Sequence, residues 1–248
     1  MRKRYIILLL ILFSVLLSSC EQEETVSTPE PTLEIINLQI LPELEPLTPK
    51  ISQCANSIEG LGIYTEIVVL NEIDLDKADL VLRLGQQQEN DPYVAVMGYE
   101  ELVLIRGNEV PVSSLSIESI IAIYSGEITN WGDVPELKEQ EIDINQPLQT
   151  LSYPEGNIVR ELFSRSFLKN KPIESDPIIY STPGGLDRKL LENPYGIAYL
   201  LRNQLTDQPD ILTITDFDPE LAQQLILAIT NREPEGKLKQ LLLCLQDS

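Results

Sequence analysis

The chain has 248 residues, 43 % of them hydrophobic and 23 % charged, with 18 Lys plus Arg against 39 Asp plus Glu and no histidine. That is a globular composition, long enough to bury a core in one large domain or two small ones without a disulfide scaffold. The absence of histidine excludes Ser-His-Asp and Cys-His catalysis, histidine metal ligands and an imidazole switch. The net charge of −21 argues against nucleic acid as a partner.

Residues 1–19 read as a signal peptide. Arg2, Lys3 and Arg4 precede an apolar run from Tyr5 to Leu17, shorter than the roughly 20 residues of a membrane span. The run ends Leu17-Ser18-Ser19-Cys20, which resembles a bacterial lipoprotein signal, where the chain is cut before the cysteine and its thiol takes a diacylglycerol. An ordinary secretory signal or an uncut anchor with a chance cysteine is the bland alternative. Cleavage removes three positive charges and no negative ones, taking the net charge from −21 to −24. Residues 20–32 then form the lipidated Cys20 and a tether. Glu21 to Thr32 carries one apolar residue, Val26, and two prolines, too little to bury a face. The expected location is extracytoplasmic, at the bacterial membrane. Cys54 and Cys244 remain as an even pair in an oxidising compartment, either one disulfide tying the first helix to the last or two buried thiols.

Beyond the tether, strands alternate with helices. Leu33–Ile40, Tyr64–Leu70, Ala78–Leu84, Tyr93–Ile105 with a break at Gly98, Gln149–Tyr153 and Gly196–Leu200 read as strands. Pro46–Ile58, Ser116–Ser125 with Ser116 as N-cap, Val159–Leu168, Gly185–Leu191, Leu221–Asn231 and Glu235–Leu245 read as helices. This order implies an α/β fold with largely parallel sheets. No repeat, nucleotide-binding glycine loop or metal-spaced cysteine set stands out, so no cofactor and no metal are expected.

The segment Ser114 to Asp133, and above all Tyr124-Ser-Gly-Glu-Ile-Thr-Asn-Trp131, resembles the phosphate-type substrate-binding proteins of ABC transporters. Lys77-Ala-Asp-Leu-Val81, Gly98 to Ile105 and Asn193-Pro-Tyr-Gly-Ile-Ala-Tyr-Leu200 follow in that family's order, with Ala198 where relatives carry glycine. The resemblance spans about Leu33 to Leu245 and is strong from Leu102 to Leu200. It implies a two-lobed periplasmic-binding-protein fold of type II, with two α/β lobes joined by two crossing strands around a cleft. The lobes would be 33–101 plus 202–248, and 102–201. It also implies a monomer that passes a small solute, phosphate or another oxyanion, to an ABC permease.

The binding loop departs from the family. Relatives read approximately arginine-proline-glutamate-glycine-serine-glycine-threonine-arginine. Here Tyr153-Pro154-Glu155-Gly156-Asn157-Ile158-Val159-Arg160 keeps the frame and loses the anion-pairing arginine and both hydroxyls. The loop after the first strand, Leu38 to Glu43, offers no serine or threonine either. Candidate ligand contacts are therefore Tyr153, Gly156, Asn157, Arg160 and Arg83, with Thr182, Gly184 and Gly185 as a third loop before a helix. The plain alternatives are a strand tyrosine for Tyr153, a solvated helical residue for Arg160 and an ordinary turn for 182–185. Three roles compete: a solute-binding component of an importer, which is preferred; a sensor or interaction module that keeps the fold and has lost the anion; and an exported hydrolase using carboxylates such as Asp74, Asp76, Glu100 and Glu101. The hydrolase is disfavoured because acidic pairs on loops are usually solvated, so no catalytic residue is assigned.

Overall fold

The computed structural model describes residues 33–181, 185–206 and 210–247. The expected signal peptide, lipidation site at Cys20 and tether lie outside the described residues, as do the expected ligand contacts Thr182 and Gly184. In chain order the elements are β1 (Glu34–Ile40), α1 (Thr48–Asn56), β2 (Leu61–Ile67), β3 (Leu80–Leu84), β4 (Tyr93–Arg106), β5 (Ser114–Ser116) and α2 (Ile117–Tyr124). Then come α3 (Pro135–Glu139), β6 (Gln149–Ser152), α4 (Ile158–Ser166), β7 (Ile178–Ile179), α5 (Leu186–Leu191), β8 (Gly196–Leu201), β9 (Asp210–Thr215), β10 (Gln223–Thr230) and α6 (Gly236–Asp247).

The strands run in the order β2-β1-β3-β10-β4-β8-β6-β7, with β9 bonded to both β4 and β5. Several pairs within each half are parallel, as between β1 and β2, β1 and β3, β6 and β8, and β5 and β9, whereas β10 runs antiparallel to β3 and β9 antiparallel to β4. The long β4 joins the halves. Its residues Tyr93 to Glu101 pair antiparallel with β10, and Leu102 to Arg106 pair with β8. The β10 register slips by one residue between Ile226 and Leu227, opposite Gly98, which takes a φ of 149° open to glycine. Such a bulge bends the strand where it changes partners.

Two expectations fail here. Leu221–Asn231 is the strand β10, not a helix. It lies between β3 and β4 with both faces covered, so its run of apolar residues lacks the alternation of a half-exposed strand. And β9, beyond Leu201, bonds to β4 and β5 in the second half, so the expected boundary at Leu201 does not hold for it. The return to the first half runs through 216–222 instead.

The motif around Trp131 has a packing role. Ser116 Oγ accepts from Ser119 N at 3.2 Å and caps α2. Gly126, at φ 77°, lets the chain reverse so that Glu127 and Ile128 N–H groups both bond back to the Ala122 carbonyl. Asn130 Oδ1 accepts from Gly132 N, and the fully buried Trp131 donates Nε1–H to the Tyr195 carbonyl at 2.8 Å. Behind it Tyr124, Phe163 and Tyr199 form the aromatic centre of this half, Phe163 stacked on Tyr199 at 3.8 Å. In the other half Cys54 of α1 and Cys244 of α6 are joined as a disulfide, with Cα atoms 5.8 Å apart.

Candidate functional site

Parallel strands end in loops at their carboxyl edges, and that is where α/β sheets place ligands. The loops after β1, β2 and β6 meet there and enclose a cleft of about 610 Å³. Pro42, Val69, Leu70 and Pro154 are its apolar walls; Glu43, Asn71, Glu155, Asn157, Glu161 and Ser181 are its polar groups.

The β6 loop turns at Pro154–Asn157, where Asn157 N–H bonds the Pro154 carbonyl and Gly156 takes a φ of 79°. Asn157 is the N-cap of α4. Its Oδ1 accepts from Val159 N at 2.9 Å and Arg160 N at 3.4 Å, so the helix N-terminus spends these donors on its own cap. The other end of the same amide crosses the cleft: Nδ2 donates to Glu43 Oε1 at 2.9 Å.

Glu43 is 4 % exposed. Burial pushes its carboxyl up from the ordinary 4.5, against the opposing pull of its own backbone N–H and of Asn157. Its carbonyl accepts from Asn203 Nδ2 at 3.4 Å, while Asn203 N–H donates to Glu100 Oε1 at 3.1 Å. Glu100 is also raised by burial. The first loop is thus tied to β4 and to the turn after β8. Glu43 escaped sequence reasoning, which looked for a hydroxyl in Leu38 to Glu43. The available signal was a carboxylate three residues past the end of a buried strand.

The other expected ligand contacts divide. Gly156 and Asn157 line the cleft. Tyr153 does not: its side chain is fully buried beneath the loop, with its hydroxyl on Gln204 Oε1 at 3.1 Å, and burial raises its ionisation far above the ordinary phenol value. Arg160 turns away from the cleft and donates Nη1–H to the Tyr153 carbonyl at 2.9 Å, with Glu155 at 3.9 Å from Nη2. Arg83 is 4 % exposed, paired with Asp91 and bonded to the Leu84 and Gln86 carbonyls, so it staples the loop after β3. Gly185 is a packing position, since a Cβ there would sit 2.1 Å from the Tyr180 ring.

The surroundings of this cleft can be compared with known proteins. No protein-family model matches the chain. Phosphate-binding protein PstS of Borreliella burgdorferi is 21 % identical over 166 residues, which is 64 % of this chain and 56 % of that protein, so the match spans little more than half of the relative. A phosphate-bound structure assigned to the ABC transporter substrate-binding proteins, from Clostridium perfringens, superposes with a TM-score of 0.70 at 15 % identity, covering 85 % of this chain and 92 % of the other. The chain has a type II periplasmic-binding-protein fold. The reduced OxyR regulatory domain of Pseudomonas aeruginosa shares it at a TM-score of 0.61 and 11 % identity, over 88 % of this chain and 100 % of that one. Fold alone therefore does not assign a role; the cleft must.

Proposed function

We propose that the protein is an extracytoplasmic solute-binding protein, anchored by lipid at Cys20, which captures a small molecule and presents it to an ABC permease. One observation carries this reading: a cleft of about 610 Å³ lies where the loops at the carboxyl ends of β1, β2 and β6 converge. A volume of that order suits a small solute. The two sheet halves are joined through β4 and the 216–222 return, connections compatible with closure around a ligand. Similarity to a phosphate-binding protein and to a phosphate-bound ABC transporter substrate-binding structure supports the same role, and that phosphate makes an oxyanion the first probe.

The test is a thermal-shift panel on the purified protein with phosphate, sulfate, molybdate, sugars, amino acids and amines. A ligand at a hundredfold its dissociation constant stabilises by about 2.7 kcal/mol, a readable rise in melting temperature. A flat panel overturns the reading. Anchoring is tested separately by mass spectrometry of the N-terminal peptide, which is expected to carry diacylglycerol on Cys20, and by release of a Cys20→Ala variant from membranes.

A further inference from the structure

The chemistry inside the cleft speaks to the class of ligand. Among the described residues its lining carries three carboxylates, Glu43, Glu155 and Glu161, and no lysine or arginine. The neighbouring cation, Arg160, is turned onto the Tyr153 carbonyl and toward Glu155. The Val159 and Arg160 N–H groups, on which an oxyanion at the α4 N-terminus would depend, are held by Asn157 Oδ1. Glu43 sets a carboxylate against the same capping residue, on Asn157 Nδ2.

We infer that the cleft takes a small solute bearing an amine or ammonium group, which seats its positive charge against Glu43 and its carbon body against Pro42, Val69, Leu70 and Pro154. The inference rests on the solute-binding reading above. Among the described residues, Asn157 is the one side chain that donates to the Glu43 carboxylate, and it brings no charge. A buried carboxylate is stabilised far more by a cation than by a neutral donor. Closure around a phosphate would instead bring like charges together in a site of low dielectric, with no cation among the described lining residues to offset them. Glu155 and Glu161 lie at the exposed rim, where they attract a cation before it is seated. The apolar walls add area for a short hydrocarbon frame.

The experiment is calorimetric titration and thermal shift of the purified protein with putrescine, choline, lysine, phosphate and glucose, on wild type, Glu43→Gln and Glu161→Gln. Glutamine at 43 keeps an oxygen for Asn157 and removes the charge. At least one amine is expected to bind the wild type, with affinity falling about ten- to hundredfold in Glu43→Gln. Phosphate is expected to give no shift. Glu161→Gln changes an exposed side chain, and is expected to weaken the same amine by a smaller factor. Amine binding unchanged in both variants overturns the inference. A response to phosphate or glucose alone overturns it too, and leaves the solute-binding reading standing. No response to any probe in this set or in the wider panel overturns both.

Discussion

The side-chain amide of Asn157 and the carboxylate of Glu43 are 114 residues apart in the chain and meet at 2.9 Å. One amide therefore ends a helix with its oxygen and closes a cleft with its nitrogen. Substituting Asn157 by Ala removes the cap, worth about 1 kcal/mol, and leaves Glu43 short of a partner, worth about 1–3 kcal/mol more. Asn157→Ser retains a capping oxygen and is expected to recover about half of that loss. Asn157→Asp also keeps the cap but opposes a second carboxylate to Glu43, so its deficit is expected to shrink at low pH. Urea unfolding of the three variants at pH 5 and pH 7 separates the cap from the bridge.

Much of this was legible in the chain. Tyr124 to Trp131 and the Pro154-Glu155-Gly156 frame identify the fold, because a helix stop, an Asn cap and a buried indole must occur in that order for the second half to pack. Loss of the usual anion donors was legible too, since Ile158 and Val159 carry no hydroxyl. What fills the space was not. Glu43 has no sequence neighbour to explain it, and its partner comes from the opposite loop. Tyr153 and Arg83 misled for the converse reason. Each is a residue type that serves ligands, and each here is satisfied internally, on Gln204 and Asp91 respectively. The β10 segment misled because a strand buried on both faces shows no period by which to tell it from a helix.

Glu43 should leave a signature in the pH dependence of stability. Burial raises its folded pKa above the 4.5 of the unfolded chain, so the folded state holds the proton more tightly. Its stabilising contribution is complete below about pH 4.5 and is lost as pH rises through the folded value. Glu100 acts in the same direction. Glu43→Gln abolishes one of these titrations. The variant is therefore expected to gain on the wild type between pH 4 and pH 7. Unfolding free energies at pH 4, 5.5 and 7 check this; a difference that stays constant across the range contradicts it.

The Cys54–Cys244 bond closes a sequence separation of 190 residues, nearly the whole described fold. Constraint of so long a loop in the unfolded chain is worth about 3–5 kcal/mol on the chain-entropy account. Reductant is expected to lower the melting temperature of the wild type and to leave a Cys54→Ala, Cys244→Ala double variant, already destabilised, unchanged. Non-reducing peptide mapping verifies the pairing in the same samples.

Arg83 and Asp91 form a buried ion pair with side chains 5 % and 9 % exposed. Removing one partner leaves an unpaired buried charge, so Arg83→Met is expected to cost about 3–5 kcal/mol. Because Arg83 does not line the cleft, ligand preference across the panel should be unaltered where the variant remains folded. A change of preference would place the guanidinium in the site after all.

Restoring the relatives' arginine tests whether the anion seat is merely missing one residue. Tyr153 is fully buried, its hydroxyl donates to Gln204 Oε1, and its ring lies 5.9 Å from that of Tyr199. Tyr153→Arg would bury a guanidinium among aromatic rings and leave Gln204 without that donor, an expected loss of about 3 kcal/mol or more. The variant is not expected to bind phosphate, because Glu43 still occupies the cleft and Asn157 still holds the α4 N–H groups. Only removal of the internal carboxylate and its amide, as in Glu43→Ser with Asn157→Ser, clears that space and returns hydroxyl donors. Phosphate titration of the single and the double variant decides the matter: a phosphate-dependent rise in melting temperature in Tyr153→Arg alone would mean that the seat was never internally occupied.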